Sequence, residues 1–199
     1  MRGMTPPAHT PLPPEALAVL DFWFGDNEVD RAEWFHKDPD FDDRIRQRFG
    51  ALIERALAGD LDGWASAPRP ALARIVVLDQ FTRNVFRDTP RAFDGDVQAL
   101  AAARQMVAKG FDRALSPLQR GFVYLPFEHA EDAEAQAESL RLFGALAAEV
   151  PAQADRLLWA EKHAQVIARF GRYPHRNAQL GRESTPQERE FLTEPGSRF

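Results

Sequence analysis

The chain has 199 residues, 44% of them hydrophobic and 28% charged, with a formal charge of −5 and a pI of about 5.6. That length and balance suit one globular domain with a sizeable core, and the mild acidity argues against the basic face of a nucleic-acid binder. Cysteine is absent, which removes disulfides, thiolate metal sites and Cys nucleophiles together and suits a reducing compartment.

Residues 1–13 carry Pro6, Pro7, Pro11 and Pro13 and lack the apolar centre of an export signal, so they predict a flexible Pro-rich arm. No run approaches the roughly 18 apolar residues of a membrane span. A cytoplasmic protein with neither membrane nor nucleic-acid partners is the expectation. From Pro14 onward the predicted elements are helices. "PEALAVLDFWFG" starts on Pro14 and closes at Gly25, and "RAEWFHKD" is a short amphipathic piece. Pro39 opens a helix that Gly59 ends, with Phe41, Ile45, Phe49, Leu52, Ile53 and Ala56 as its apolar stripe. The next helix begins near Pro70. Asp94 is then expected to cap an alanine-rich helix that stops at Gly110.

Ser116, Pro117 and Gln119 spell a capping box. Within that helix Pro126 removes one backbone hydrogen bond and frees the Phe122 carbonyl, which predicts a kink or a break. Two further helices follow, the second ended by Gly171, and Thr185 with Glu188 makes another capping box for a short terminal helix. Period-two alternation and hairpin turns are missing. The fold class is therefore all-α, with short linkers that favour antiparallel neighbours. The expected organisation is an arm over 1–13, an all-α domain over 14–184, and a terminal helix and tail over 185–199.

The stretch "LARIVVLDQFTRNVFRD" departs from simple amphipathicity. Leu72, Ile75, Val76, Asp79 and Arg83 share one helical face, while Leu78, Phe81 and Val85 form a second apolar face. A helix apolar on two sides belongs at the centre of a fold. Asp79 and Arg83, four apart, are placed to pair. Gln80 and Asn84 repeat that spacing, and Arg87 extends the arginine row. His163 sits inside the stripe Trp159, Val166, Ile167 and Phe170. Tyr124, Glu128 and Asp132 line up at four-residue steps, with His129 beside them. Arg172, His175, Arg176 and Asn177 crowd the loop after Gly171. Buried charge must be paired and hydrogen-bonded. Two readings follow: an ion-pair network that fixes helix register, or a polar pocket between facing helices.

At these residues a resemblance enters. "LDQFTRNVFRDTPRAFDGD", "YLPFEHAED" and "FGRYPHRNAQLGRES" resemble the motifs of a bacterial family catalogued as domain of unknown function 924, over roughly Val19 to Ser184. Ala130 and Ala133 depart from the pattern, where Ser and Leu are expected. The resemblance implies an all-α, tetratricopeptide-like fold of stacked helical pairs and implies no activity.

The residues themselves suggest a chemistry. Arg83, Arg87, Arg172 and Arg176, with His175 and Asn84, suit a carboxylate or phosphate through charge-assisted hydrogen bonds. Asp79, Gln80, Tyr124, Glu128, His129, His163 and Asn177 complete the candidate ligand-binding set. Asp79, Glu128, Asp132 and His163 are the candidate catalytic groups for acid–base hydrolysis. Glu128, His129, Asp132, His163 and His175 are also metal-ligand types. HExxH, paired ExxH and EF-hand patterns are nevertheless missing, and adjacent Glu128 and His129 diverge by about 100° on a helix. No metal is assigned. Walker, GxGxxG and G-x-S-x-G motifs are also missing, so no cofactor is indicated. The expected function is a polar inter-helix pocket for a small anionic ligand, with hydrolysis as the reaction it would suit. The alternative is a tetratricopeptide-like peptide- or protein-binding module without catalysis, anchored by Phe22, Trp23, Phe24, Trp34 and Phe35. Whether the chain is an enzyme, and in what oligomeric state it works, the sequence leaves open.

Overall fold

Prolines at first turns, short polar caps and left-handed glycines set most of the helix boundaries. A computed structural model describes residues 12–26 and 29–198, so residues 1–11 of the predicted arm lie outside the described residues. In chain order the α-helices are α1 (Pro14–Phe24), α2 (Pro39–Leu57), α3 (Pro68–Ile75), α4 (Thr82–Val85), α5 (Asp96–Ala108), α6 (Pro117–His129), α7 (Ala133–Glu149), α8 (Ala154–Phe170) and α9 (Pro186–Phe191). A π-helical turn, Val76–Phe81, joins α3 to α4. No strand occurs among the described residues, and no helix among them is long and apolar enough to cross a membrane. Both capping boxes form, at Ser116 with Gln119 and at Thr185 with Glu188. Gly25 and Gly171 close α1 and α8 with φ of +64° and +70°.

The α3–α4 segment is the central element that its two apolar faces call for. Leu72, Ile75, Val76, Val77, Leu78 and Phe81 are all buried. α1, α5 and α6 pack on α3, and α2 packs on the π turn and α4. The core here is aromatic: Trp23 lies 5.6 Å from Phe81 and 5.8 Å from Phe122, and Phe49 lies 5.0 Å from Phe81, centroid to centroid. Trp23 and Phe24 are buried, and Phe22 and Trp34 pack against the core, so of the candidate peptide anchors only Phe35 stands exposed. From α5 onward neighbours in sequence are neighbours in space, with α5 on α6, α6 on α7, and α7 on α8 in the most extensive of these contacts.

Four local expectations are corrected. Asp94 does not cap α5; Gly95 is the N-cap and offers no side chain. α6 runs through Pro126 to His129 without a break. Pro126 is buried in its last turn, and α3 and α7 both pack on this helix, so the cost of one lost backbone bond does not end it. Asp132 therefore falls outside α6 and cannot continue the Tyr124–Glu128 line. It caps α7, accepting from the Ala135 N–H at 2.8 Å. On α8, His163, Val166 and Ile167 are buried but Trp159 is exposed.

The π turn positions the polar groups. Within it the Leu78 carbonyl oxygen accepts the Thr82 hydroxyl at 2.7 Å. Gly95 packs directly on the same carbonyl, close enough that an added Cβ would stand 2.0 Å from the Leu78 oxygen. This approach brings Asp96, the first residue of α5, against Arg83 of α4. Gly95→Ala must push the two segments apart. It is expected to lower stability by about 1–3 kcal/mol, read by chemical denaturation, while Gly144→Ala, which meets open space, does not.

Candidate functional site

Asp79, on the π turn, is 1% exposed and is the hub of a polar network. Arg83 Nη1 lies 3.1 Å from Asp79 Oδ1 and donates to the Asp79 carbonyl at 2.8 Å. Arg83 also reaches Asp96 with both terminal nitrogens, at 2.8 and 3.1 Å, the fork geometry that suits a guanidinium to a carboxylate. Gln80 donates to Asp79 Oδ2 at 2.6 Å. His129 Nδ1, at the C-terminus of α6, stands 2.8 Å from Asp79 Oδ1. Burial alone would raise the Asp79 pKa, but the charge of Arg83 and the hydrogen bonds of His129 and Gln80 hold it well below the usual carboxylate range. Ionised Asp79 only accepts, and burial pushes His129 down towards its neutral form. The His129 proton therefore sits on Nδ1 and leaves Nε2 as the basic nitrogen.

A second carboxylate–imidazole pair lies beside the first. Glu128 Oε1 is 3.3 Å from His163 Nδ1, which itself lies 2.8 Å from the Trp159 carbonyl. The rings of His129 and His163 are 6.5 Å apart. Burial first, and then the nearby Asp79 charge, push Glu128 up to about 8. Burial also drives His163 down to about 3. Near pH 7 this pair is a neutral acid beside a neutral imidazole and not an ion pair. Tyr173 secures the end of α6 from the other side. Its hydroxyl donates to the Glu128 carbonyl and accepts from Gln136 at 2.9 Å.

Arg176 completes the cluster. It is 6% exposed, and its guanidinium lies over the rings of Phe93 and Tyr173, at 4.8 and 4.5 Å. Its nearest charge partner is Asp96, at 3.5 Å, which already serves Arg83. Its Nε is buried without a hydrogen-bond partner. Burial, and then Arg83, push its pKa down to about 10. His175 faces the opposite neighbour, with its ring 5.6 Å from that of Tyr173, and burial pushes it down to about 4.

The remaining candidates go elsewhere. Asn84 and Arg87 do not pair with Gln80 or extend the network; both bind Asp42, at 2.7 and 2.9 Å, on α2. Tyr124 donates to Asp112 at 2.7 Å, in a separate cleft. Arg172 and Asn177 clasp Glu188 of α9, at 2.7 and 3.2 Å. Asp132, the α7 cap, leaves the set of acid–base candidates. The sequence reading missed Asp96, Phe93, Gln136 and Tyr173. Asp96 carried a signal, a carboxylate next to glycine at a helix start, but it was overshadowed by Asp94. Among the described residues no group of three or more His, Asp or Glu side chains is placed to hold a metal ion.

The model of a family described as "Bacterial protein of unknown function (DUF924)" matches residues 19–196. The solved structure of a protein of unknown function, ATU0120 from Agrobacterium tumefaciens, is similar with a TM-score of 0.82 and 38% identity, over 90% of this chain and 97% of that one. No curated protein matches.

The Glu128 carboxyl carries a signature in stability. Its folded pKa, about 8, lies above the ordinary 4.5, so it stabilises the fold below pH 4.5 and that contribution is lost as pH rises through 8. His163, lowered from 6.5 to about 3, contributes the opposite slope, but only below pH 6.5. His129 and His175, also lowered by burial, add to that opposite slope but are common to both proteins, so between pH 6.5 and 8 the wild type is expected to lose about 2 kcal/mol relative to Glu128→Gln. Urea denaturation of the two proteins at both pH values checks it.

Proposed function

We propose, for a chain that belongs to this bacterial family of unknown function, that the Asp79–Arg83–His129–Arg176 network binds a small anionic ligand and carries out acid–base hydrolysis on it. The observation that carries this reading is Arg176. A guanidinium that is 6% exposed, with an unpartnered Nε and a single 3.5 Å contact to a carboxylate already engaged by Arg83, lacks the pairing that buried charge requires. A carboxylate or phosphate supplies it, and the nearby rings of Phe93 and Tyr173 hold the guanidinium in place to receive one.

The two carboxylate–imidazole pairs support the hydrolytic part. Groups of like chemistry whose surroundings drive their pKa values apart divide into acid and base. His129, oriented through Nδ1 by Asp79, takes a proton from water on Nε2 as the water oxygen bonds to the acyl or phosphoryl centre. The bond to the leaving oxygen breaks, and Glu128 holds the proton that this oxygen needs. The peptide-binding alternative loses support, because its aromatic anchors other than Phe35 belong to the core.

Calorimetric titration with phosphate, acetate and succinate at low ionic strength tests the binding. At least one anion is expected to bind, and Arg176→Met is expected to weaken it about tenfold or more while retaining a cooperative unfolding transition. Binding that Arg176→Met leaves unchanged, or no binding of any of the three, rejects the reading. With 4-nitrophenyl phosphate and mono-4-nitrophenyl succinate, His129→Gln is expected to lower turnover about 10²–10⁴-fold with anion binding kept. Equal turnover by the variant rejects the hydrolytic part alone.

A further inference from the structure

A separate cleft of about 420 Å³ shares no lining residue with the Arg83–Arg176 network. Its volume falls in the range of small-molecule sites. Lys109, Arg113, Arg120 and Arg141 line it together with Asp112 and Tyr124, four cations gathered in a chain whose formal charge is −5. Two more carboxylates reach these cations, Glu149 to Arg120 and Glu138 to Arg141. Like charges repel, and a surface that collects them without equal compensation favours an anion.

The base of the cleft is built and not merely charged. Arg120 is 4% exposed. Its Nε donates to the Tyr124 hydroxyl at 3.3 Å, and that hydroxyl donates onward to Asp112 at 2.7 Å. Both oxygens of Glu149 sit on the single nitrogen Nη1, each at 2.8 Å. Nη2 donates no hydrogen bond among the described residues. A guanidinium engages an oxyanion best with two nitrogens in parallel, so the Glu149 contact uses half of what the fork offers. Glu149 is also the last residue of α7, where the helix dipole disfavours a carboxylate, and its side chain is 52% exposed. Arg120 holds the Glu149 carboxyl below the usual carboxylate range, but the side chain is half in solvent, so water can take over its charge when a ligand displaces it.

We propose that this cleft is a second ligand site, for a phosphorylated small molecule. Arg120 is its buried anchor, Arg113, Arg141 and Lys109 supply the rim charge, and Glu149 is the carboxylate that the phosphate displaces. A phosphate monoester brings nearly two negative charges and three acceptor oxygens, which match four cations and an open guanidinium fork better than a single carboxylate does.

The test is a titration of the full chain with inorganic phosphate and pyrophosphate at low ionic strength, followed by amide chemical shifts. Saturable shifts are expected at Lys109, Gly110, Asp112 and Ala145. Arg113→Ala and Arg141→Ala, both on exposed side chains, are expected to weaken binding about threefold each. Glu149→Gln removes the competing carboxylate and is expected to tighten binding by about threefold, a gain that general loss of structure cannot imitate. Shifts only at Arg83 and His129 would overturn this site while leaving the first intact. The absence of saturable shifts, or a Glu149→Gln variant that binds no more tightly, would also overturn it.

Discussion

The structure turns on the Arg83 guanidinium. It joins the π turn, through Asp79, to the start of α5, through Asp96. That bridge exists only because Gly95 lets α5 come down onto the Leu78 carbonyl. Asp79 is then buried with its charge intact, and a buried intact carboxylate sets the state of everything around it. It orients His129 and repels charge on Glu128. The second partner of Arg83, Asp96, is shared with Arg176 and leaves that arginine short of an anion. A π turn, a glycine and two carboxylates thus determine the protonation pattern of the cluster.

The two acidic groups illustrate how little local identity matters beside environment. Asp79 and Glu128 are both nearly fully buried. One has a guanidinium and an imidazole within 3.1 Å of the same oxygen. The other has a neutral imidazole at 3.3 Å and a carboxylate charge nearby. Desolvation opposes ionisation in both; at Asp79 the adjoining Arg83 guanidinium and the hydrogen bonds of His129 and Gln80 overcome it, whereas at Glu128 the charge of Arg156 does not outweigh burial and the Asp79 charge. Neutral Glu128 beside neutral His163 removes the cost of a buried ion pair, which is why the interior tolerates both.

Several residues that look alike in sequence serve different ends. Arg83 and Arg176 meet at Asp96, while Arg87 holds Asp42 and Arg172 holds Glu188. Tyr124 and Glu128 are one turn apart on α6, yet Tyr124 belongs to the Arg120 cleft and Glu128 to the histidine cluster. α6 thereby contributes side chains to two separate polar regions, one near its middle and one at its end.

The all-α class, the helix stops at Gly25 and Gly171, both capping boxes and the centrality of the Leu72–Asp88 segment were legible in the sequence, because they rest on local rules: turn period, φ of glycine, and hydrogen bonding within three residues. The Asp79–Arg83 pair was legible for the same reason, being one helical turn. Membership in the cluster was not. Asp96, Tyr173 and Gln136 reach it from elements far away in the chain, and Asp132, Asn84 and Arg172 leave it for partners that no periodicity reveals. α6 continued through a buried Pro126 against the local rule, and the π turn left no mark in composition. Spacing along one helix fixes which side chains share a face. Which face meets which, and hence which proton stays on which carboxylate, depends on contacts between distant segments, and these exist only once the chain has folded.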